Sequence, residues 1–366
     1  MSMSLPALAE LVADGVSVTQ GSRVSIFTND AAVLPAAAAF VEEVYRRGGL
    51  AQIVHADEQF DASAVRWASE SILRQPPPIE EAAMRWSDVH VSFRGLLPPT
   101  EALSGARVAA LREGRGRIAT LRWEGTRWAI VRVPTAQWAE FAGVDAQALM
   151  AEWSASFAED WPAAESRLLP WCAELAEASS VHIVGSDTDL VLGVGGRTWV
   201  PFAGRANWPD GEIATAPVED QVDGHITFPG RFWFSGLEVA DLRLNFADGR
   251  VTSVAASAGE DFVRGLLATD DGAMRVGEFG IGLNAALRTP TGDLLIDEKI
   301  LGTVHIALGR SYQECGGRNR SALHWDIVKD LRDGGTVRVG DRALIADGIV
   351  SDELRRYAVA APDESR

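Results

Sequence analysis

Residues 23–55, RVSIFTNDAAVLPAAAAFVEEVYRRGGLAQIVH, decide the fold class. Arg23 to Thr28 is a short, β-rich apolar run preceded by a Gly-Ser turn. Asn29 and Asp30 are of the type that caps a helix, and Pro35 to Arg47 follows with helical spacing. Gly48 and Gly49 stop that helix, and Ala51 to His55 is strand-like again. Strand, helix, strand at this spacing predicts parallel pairing, with helices on both faces of the sheet. The pattern continues outward. Asp61 opens a helix over Ala64–Leu73, Pro76 to Pro78 break the chain, and Asp88–Phe93 is a third strand. A helix near Ala102–Arg112 follows, then strands over Gly116–Leu121 and Trp128–Val133. Such folds often bind nucleotides, yet no G-x-x-x-x-G-K-[ST] loop is present and no G-x-G-x-x-G sits at the first strand-to-helix turn. Gly193-Val-Gly195-Gly196 and Gly280-Ile-Gly282 are too short to count.

Thr135 to Glu177 reads as helical and carries Trp138, Trp153, Trp161 and Trp171. From Ser180 the texture changes to short strands and tight turns. Asp248-Gly249, Asp347-Gly348 and Gly340-Asp341 are each flanked by alternating apolar residues, which is a hairpin signal. A boundary near 178 is expected. It divides an N-terminal α/β domain with a mostly parallel sheet (1–178) from a C-terminal α+β domain with a mixed or antiparallel sheet (179–366). The segment after Ala361 reads as a polar tail.

Composition narrows the function. The chain has 366 residues, 47% hydrophobic and 23% charged, enough apolar side chain to bury a core and not to remain disordered. Its net charge of −17 argues against a broad basic nucleic-acid face. Two cysteines, Cys172 and Cys315, make no disulfide framework, so a reducing cytoplasm is the natural compartment. Apolar runs are short of the roughly 20 residues that a bilayer helix needs. The first residues, MSMSLPALAELVADG, read as a short amphipathic helix and not as a signal peptide.

The chemistry concentrates in the second half. In a strand, residues i and i+2 share a face, so His324, Asp326 and Val328 point one way, giving an imidazole and a carboxylate side by side. That is a competent half-shell for a divalent metal. His305 lies in a strand-like run on the face opposite Val304 and Ile306. Glu278 is followed by Gly280 and Gly282, which permit close backbone approach. Glu212 follows a Pro-Asp-Gly turn that can aim its carboxylate into a cleft. Spacing alone therefore yields a metal site of two histidines and up to three carboxylates. Taken singly, each of these residues is more often a hydrogen-bonded strand histidine or a solvated acid. Cys315 has no local base to make it a nucleophile, Arg318 to Arg320 read as an exposed loop, and the absence of H-E-x-x-H excludes the helix-borne single-zinc motif.

Four strings occur together and in order: NWPDGEIATAPVEDQVDGHI, VGEFGIGLN, DEKILGTVHIALGRSYQECGG and ALHWDIV. With these the chain resembles the thermophilic aminopeptidase family of metallopeptidases, of the aminopeptidase T type, over roughly 180–350. The resemblance implies a two-metal exopeptidase that removes N-terminal residues from short peptides with a free N-terminus. It implies Glu212, Glu278, His305, His324 and Asp326 as metal ligands, with Glu278 bridging two divalent ions of zinc, cobalt or manganese. It places Tyr312 on the developing oxyanion, and Glu298 or Glu212 as the group that carries a proton to the leaving amine. It further implies a homodimer, and no nucleic-acid or membrane partner. Ala214 stands where an aromatic residue is usual, which bears on substrate preference and not on the ligand set. The alternative is a metal-dependent amide hydrolase or tailoring enzyme on the same scaffold, acting on a non-peptide substrate.

Overall fold

The computed structural model describes residues 3–98 and 103–361. The tail after Ala361, and Ala102 at the head of its expected helix, lie outside the described residues. The chain forms two compact units, one of residues 1–157 with 204–210, the other of residues 158–203 with 211–366. The second unit starts ahead of the expected boundary near 178, because the helix Trp161–Leu175 packs within it. Trp171 on that helix stacks on Tyr357 at 4.4 Å between ring centroids and donates its Nε1–H to Glu353.

The first unit holds a five-stranded sheet ordered Leu50–His55, Arg23–Thr28, Val89–Gly95, Arg127–Val133 and Asn207–Trp208. Every neighbouring pair is parallel. Consecutive residues of the two strands Arg23–Thr28 and Val89–Gly95 are buried, so both faces are covered, as parallel sheets require. Two local expectations give way. Asn29 does not cap the next helix; its side chain exchanges two hydrogen bonds with the backbone of Gly95. Gly116–Leu121 is not a strand but lies inside one helix, Gly105–Gly125. Gly114, two residues before that stretch, is a packing contact. A Cβ on it would come within 2.6 Å of the Gln75 carbonyl and 2.8 Å of that of Leu73.

The second unit carries two antiparallel sheets. The larger runs Arg250–Ala255, Leu237–Ala247, Val222–Phe234, Thr188–Gly193, Ser180–Gly185, Thr336–Val339, Arg342–Ala346 and Ile349–Val350. All three hairpin turns read from the sequence close there. Asp248-Gly249 joins the paired residues Ala247 and Arg250, Gly340-Asp341 joins Val339 and Arg342, and Asp347-Gly348 joins Ala346 and Ile349. The smaller sheet is ordered His324–Asp330, Thr303–Gly309, Val276–Gly282, Glu212–Thr215 and Val200–Phe202.

Register sorts the side chains of this smaller sheet into two faces. Phe279, Ile306 and Ile327 are in line across three strands, with Ile281 beside Val304 and Trp325 beside Leu308. All of these are fully buried. Each such side chain contributes about 1.5–3 kcal/mol on leaving water, which anchors the sheet by its apolar face. The opposite face carries the polar residues.

Candidate metal centre

Five polar side chains are brought to that face by cross-strand register. Glu212 opens its strand opposite Gly282, His305 is opposite Gly280, Glu278 and Asp326 flank Ala307, and His324 is opposite Gly309. The chain irregularity between Val276 and Glu278 sets the glutamate in this row, as bulges commonly re-aim a side chain. Each has a glycine or alanine partner on one side, although Phe202 also faces Glu212 and Val328 faces His305, so the face has room for the longer side chains. Gly280 is the tightest case. A Cβ there would meet the His305 ring at 2.1 Å from Cε1 and 2.3 Å from Nε2. Gly282 does the same for the chain above it, where a Cβ would meet the Ile300 carbonyl at 2.2 Å. That chain bears Glu298 and Lys299.

The resulting cluster has two lobes. Glu212, Glu278 and His305 form one group of potential ligand atoms, and Glu278, His324 and Asp326 form another, all atoms of each within 4.8 Å of one another. Glu278 belongs to both. Its Oε1 is 3.6 Å from His305 Nε2 and its Oε2 is 3.3 Å from His324 Nε2. Glu212 Oε2 lies 3.5 Å from His305 Nε2, and Asp326 Oδ1 lies 3.4 Å from His324 Nε2. Glu298 makes a third group with His305 and Asp326. The backbone carbonyl of Arg310 is 2.9 Å from His324 Nδ1. Donation from Nδ1–H to that oxygen leaves Nε2 as the ligand atom, the usual outer hydrogen bond of a metal-binding histidine.

These atoms fit a cation better than they fit one another. Glu278 Oε2, Glu298 Oε2 and both ring nitrogens of His305 are buried and accept or donate no hydrogen bond. Buried polar atoms are rarely left so, and a metal ion would satisfy them together. Charge says the same. Four carboxylates, Glu212, Glu278, Glu298 and Asp326, face one ammonium. Unpaired buried charge costs several kcal/mol per ion.

The titration of the cluster reflects that excess. Burial alone would depress His305, but Glu212 and then Glu278 and Glu298 outweigh it and raise the imidazole to about 9. His324, buried but facing Asp326 and Glu278, is raised to about 10. Burial would raise Asp326, yet His324 holds it at about 2. Burial and the neighbouring acids push Glu298 well above the usual carboxylate range, against the pull of Lys299. Burial raises the Tyr312 phenol well above its ordinary value too, with help from the carboxylates.

Tyr312 follows the strand Thr303–Gly309 and is half-buried. Its ring lies 5.3 Å from that of Phe202 and edge-on to His324 at 5.4 Å. Cys315 is buried and its thiol is pushed up by burial, the wrong direction for a nucleophile.

One residue escaped the reading of the sequence. Lys299 is wholly buried, with Nζ 2.5 Å from Glu212 Oε1 and 2.7 Å from Glu298 Oε1. A lysine next to a glutamate in sequence usually marks a solvated pair. Only the close approach over Gly282 shows that this one is sealed in. The ammonium occupies one oxygen of each carboxylate and turns the other toward the cluster.

A family model described as thermophilic metalloprotease (M29) matches residues 2–347. Aminopeptidase T of Thermus thermophilus is 26% identical over 96% of both chains. That of Thermus aquaticus is 29% identical over 71% of this chain and 70% of its own. Aminopeptidase PepS of Streptococcus thermophilus is 22% identical over 94% of each. Among solved structures, wild-type AmpT from Thermus thermophilus superposes with a TM-score of 0.75 at 26% identity, covering 94% of this chain and 98% of that one. A 2,5-dihydroxypyridine dioxygenase from Pseudomonas putida, at 16% identity and a TM-score of 0.54, shares the fold alone.

Proposed function

The chain belongs to the thermophilic metalloprotease (M29) family, and on that premise we propose how its cluster works. The protein is a metal-dependent aminopeptidase, a hydrolase of N-terminal peptide bonds. The two ligand groups that share Glu278 carry the finer reading. Glu212, Glu278, His305, His324 and Asp326 would hold two divalent ions, of zinc, cobalt or manganese, with Glu278 common to the two ligand groups. The charge balance supports two. Lys299 cancels one of the four carboxylates, and two divalent ions then leave one net positive charge for an anionic transition state. When bound, the ions supply Lewis acidity to the scissile carbonyl and make water acidic near neutral pH.

The chain's own residues do the rest. Tyr312, whose phenol stays protonated, donates its O–H to the developing oxyanion, a contact worth roughly 2.7–4 kcal/mol when it forms only in the transition state. Glu298 is the better candidate for carrying a proton to the leaving amine. It lies beside His305 and Asp326 without being one of the five ligands, whereas Glu212 is one of them; Lys299 pairs with both, at 2.7 Å and 2.5 Å. The substrates are short peptides with a free N-terminus, and the enzyme is a cytoplasmic homodimer. Among the described residues, no helix is long and apolar enough to cross a membrane.

A panel of aminoacyl-p-nitroanilides tests this reading. Cleavage should stop in excess chelator and return with a divalent ion. Full turnover with no metal by elemental analysis, or no cleavage with metal loaded, overturns it. The latter result would favour the amide hydrolase or tailoring enzyme, which the aminopeptidase relatives do not favour.

A further inference from the structure

Tyr312 sits in a loop, and a loop cannot hold a hydroxyl to a fraction of an ångström without support. Part of that support comes from one segment of chain. The turn from Tyr312 to Gly317 is closed by its own backbone, with Gly317 N donating to the Tyr312 carbonyl and Gly316 N to that of Gln313. From outside, Arg197 donates to the Gly316 carbonyl and, from its other terminal nitrogen, to Glu219 Oε2 at 2.6 Å. The second oxygen of Glu219 accepts the backbone N–H of Arg318 at 2.8 Å. Thr198 N donates to the Cys315 carbonyl, and five residues beyond Arg197 the ring of Phe202 rests against that of Tyr312. One segment, Arg197–Phe202, thus holds both the backbone of the turn and the ring it presents. Arg197 is buried, and its two side-chain hydrogen bonds go to Gly316 and Glu219, outside the metal groups.

We propose that Arg197, braced by Glu219, is a positioning residue for catalysis that fixes Tyr312 against the reacting centre. The proposal rests on the role given to Tyr312 above. The guanidinium fork is what the task needs, since it binds a carbonyl and a carboxylate at once in a fixed plane.

A double-mutant cycle tests it, because residues that act as a unit are non-additive. Arg197→Met, Tyr312→Phe and the double variant are compared on an aminoacyl-p-nitroanilide with metal loaded, with metal content measured in each. Arg197→Met should lower kcat about tenfold, with KM and metal content within about twofold of the parent. In the Tyr312→Phe background the same change should alter kcat by less than about twofold. Equal losses in both backgrounds, or no loss in the first, overturn the proposal while leaving the role of Tyr312 standing. Unchanged kcat in Tyr312→Phe alone overturns both. Should Arg197→Met fail to fold, Glu219→Gln serves in the same cycle. It releases the brace from a partly exposed position, and the same non-additivity is expected.

Discussion

Two histidines, one in each unit, are equally buried and behave in opposite ways. His90 lies in the parallel sheet of the first unit, edge-on to Phe27 at 4.7 Å and 3.0 Å from Ser25 Oγ. Burial, aided by Arg122 and Arg94, drives its pKa well down, and it stays neutral. His305 is buried as deeply, yet is raised to about 9 because Glu212, Glu278 and Glu298 surround it. Burial sets the stakes, and the neighbours decide the charge state. In the first sheet the buried Ser25 hydroxyl bonds both Ser87 and His90. The second gathers carboxylates that draw protons onto its histidines, in the place where a cation could sit.

The comparison can be broken at its strongest point first. Glu278→Gln removes the charge common to both ligand groups. Bound metal should be lost from both and peptidase activity should fall to background, measured by elemental analysis and turnover. Retention of one full metal equivalent would show that the glutamate is not shared. Gly280→Ala comes next. The added methyl displaces the His305 ring with no change of ligand, so metal affinity should fall about 10–100-fold, the range seen for changes just outside a ligand shell. Calorimetric titration with cobalt reads this, and an unchanged dissociation constant would mean that the ring does not rest on Gly280. The smallest effect on the centre belongs to the other histidine. His90→Leu should leave metal content and kcat as they are while lowering stability by about 0.5–1.5 kcal/mol, since it removes one of the two hydrogen bonds of the buried Ser25 hydroxyl. Thermal melts measure this, and a loss of bound metal would contradict the separation.

Much of this was legible in the sequence, for physical reasons that also mark where legibility stops. Short apolar runs such as Arg23–Thr28 and Asp-Gly turns such as Asp248-Gly249 encode local structure, and they read true. Gly116–Leu121 misled because its alternation suits a strand, while the helix through it is held by contacts with residues forty positions away, among them Leu73 and Gln75. His324 and Asp326 share a face by simple periodicity. That Glu212, Glu278 and His305 meet them depends on cross-strand register, which no local pattern reveals, so spacing suggested a site of two histidines and up to three carboxylates and the family resemblance named the five together. Lys299 lay within a motif but was given no role, and Arg197 carried no signal. Each looks like an ordinary surface cation until the chain folds over it.

The chain's path through its two units has a consequence for how the protein is made. The first unit does not own a single stretch of sequence. Its sheet receives a last strand, Asn207–Trp208, only after the chain has begun the second unit, and Glu212 follows directly on. On the ribosome, then, the first unit waits with an open edge beside Arg127–Val133 until residues past 203 emerge. No single cut divides the protein into its parts. A fragment ending at 157, or at 178, would lack Trp208, which is almost wholly buried. The strand that completes one unit leads directly to Glu212, the first candidate ligand of the other, so the order of synthesis couples the finishing of the parallel sheet to the start of the sheet that carries the cluster.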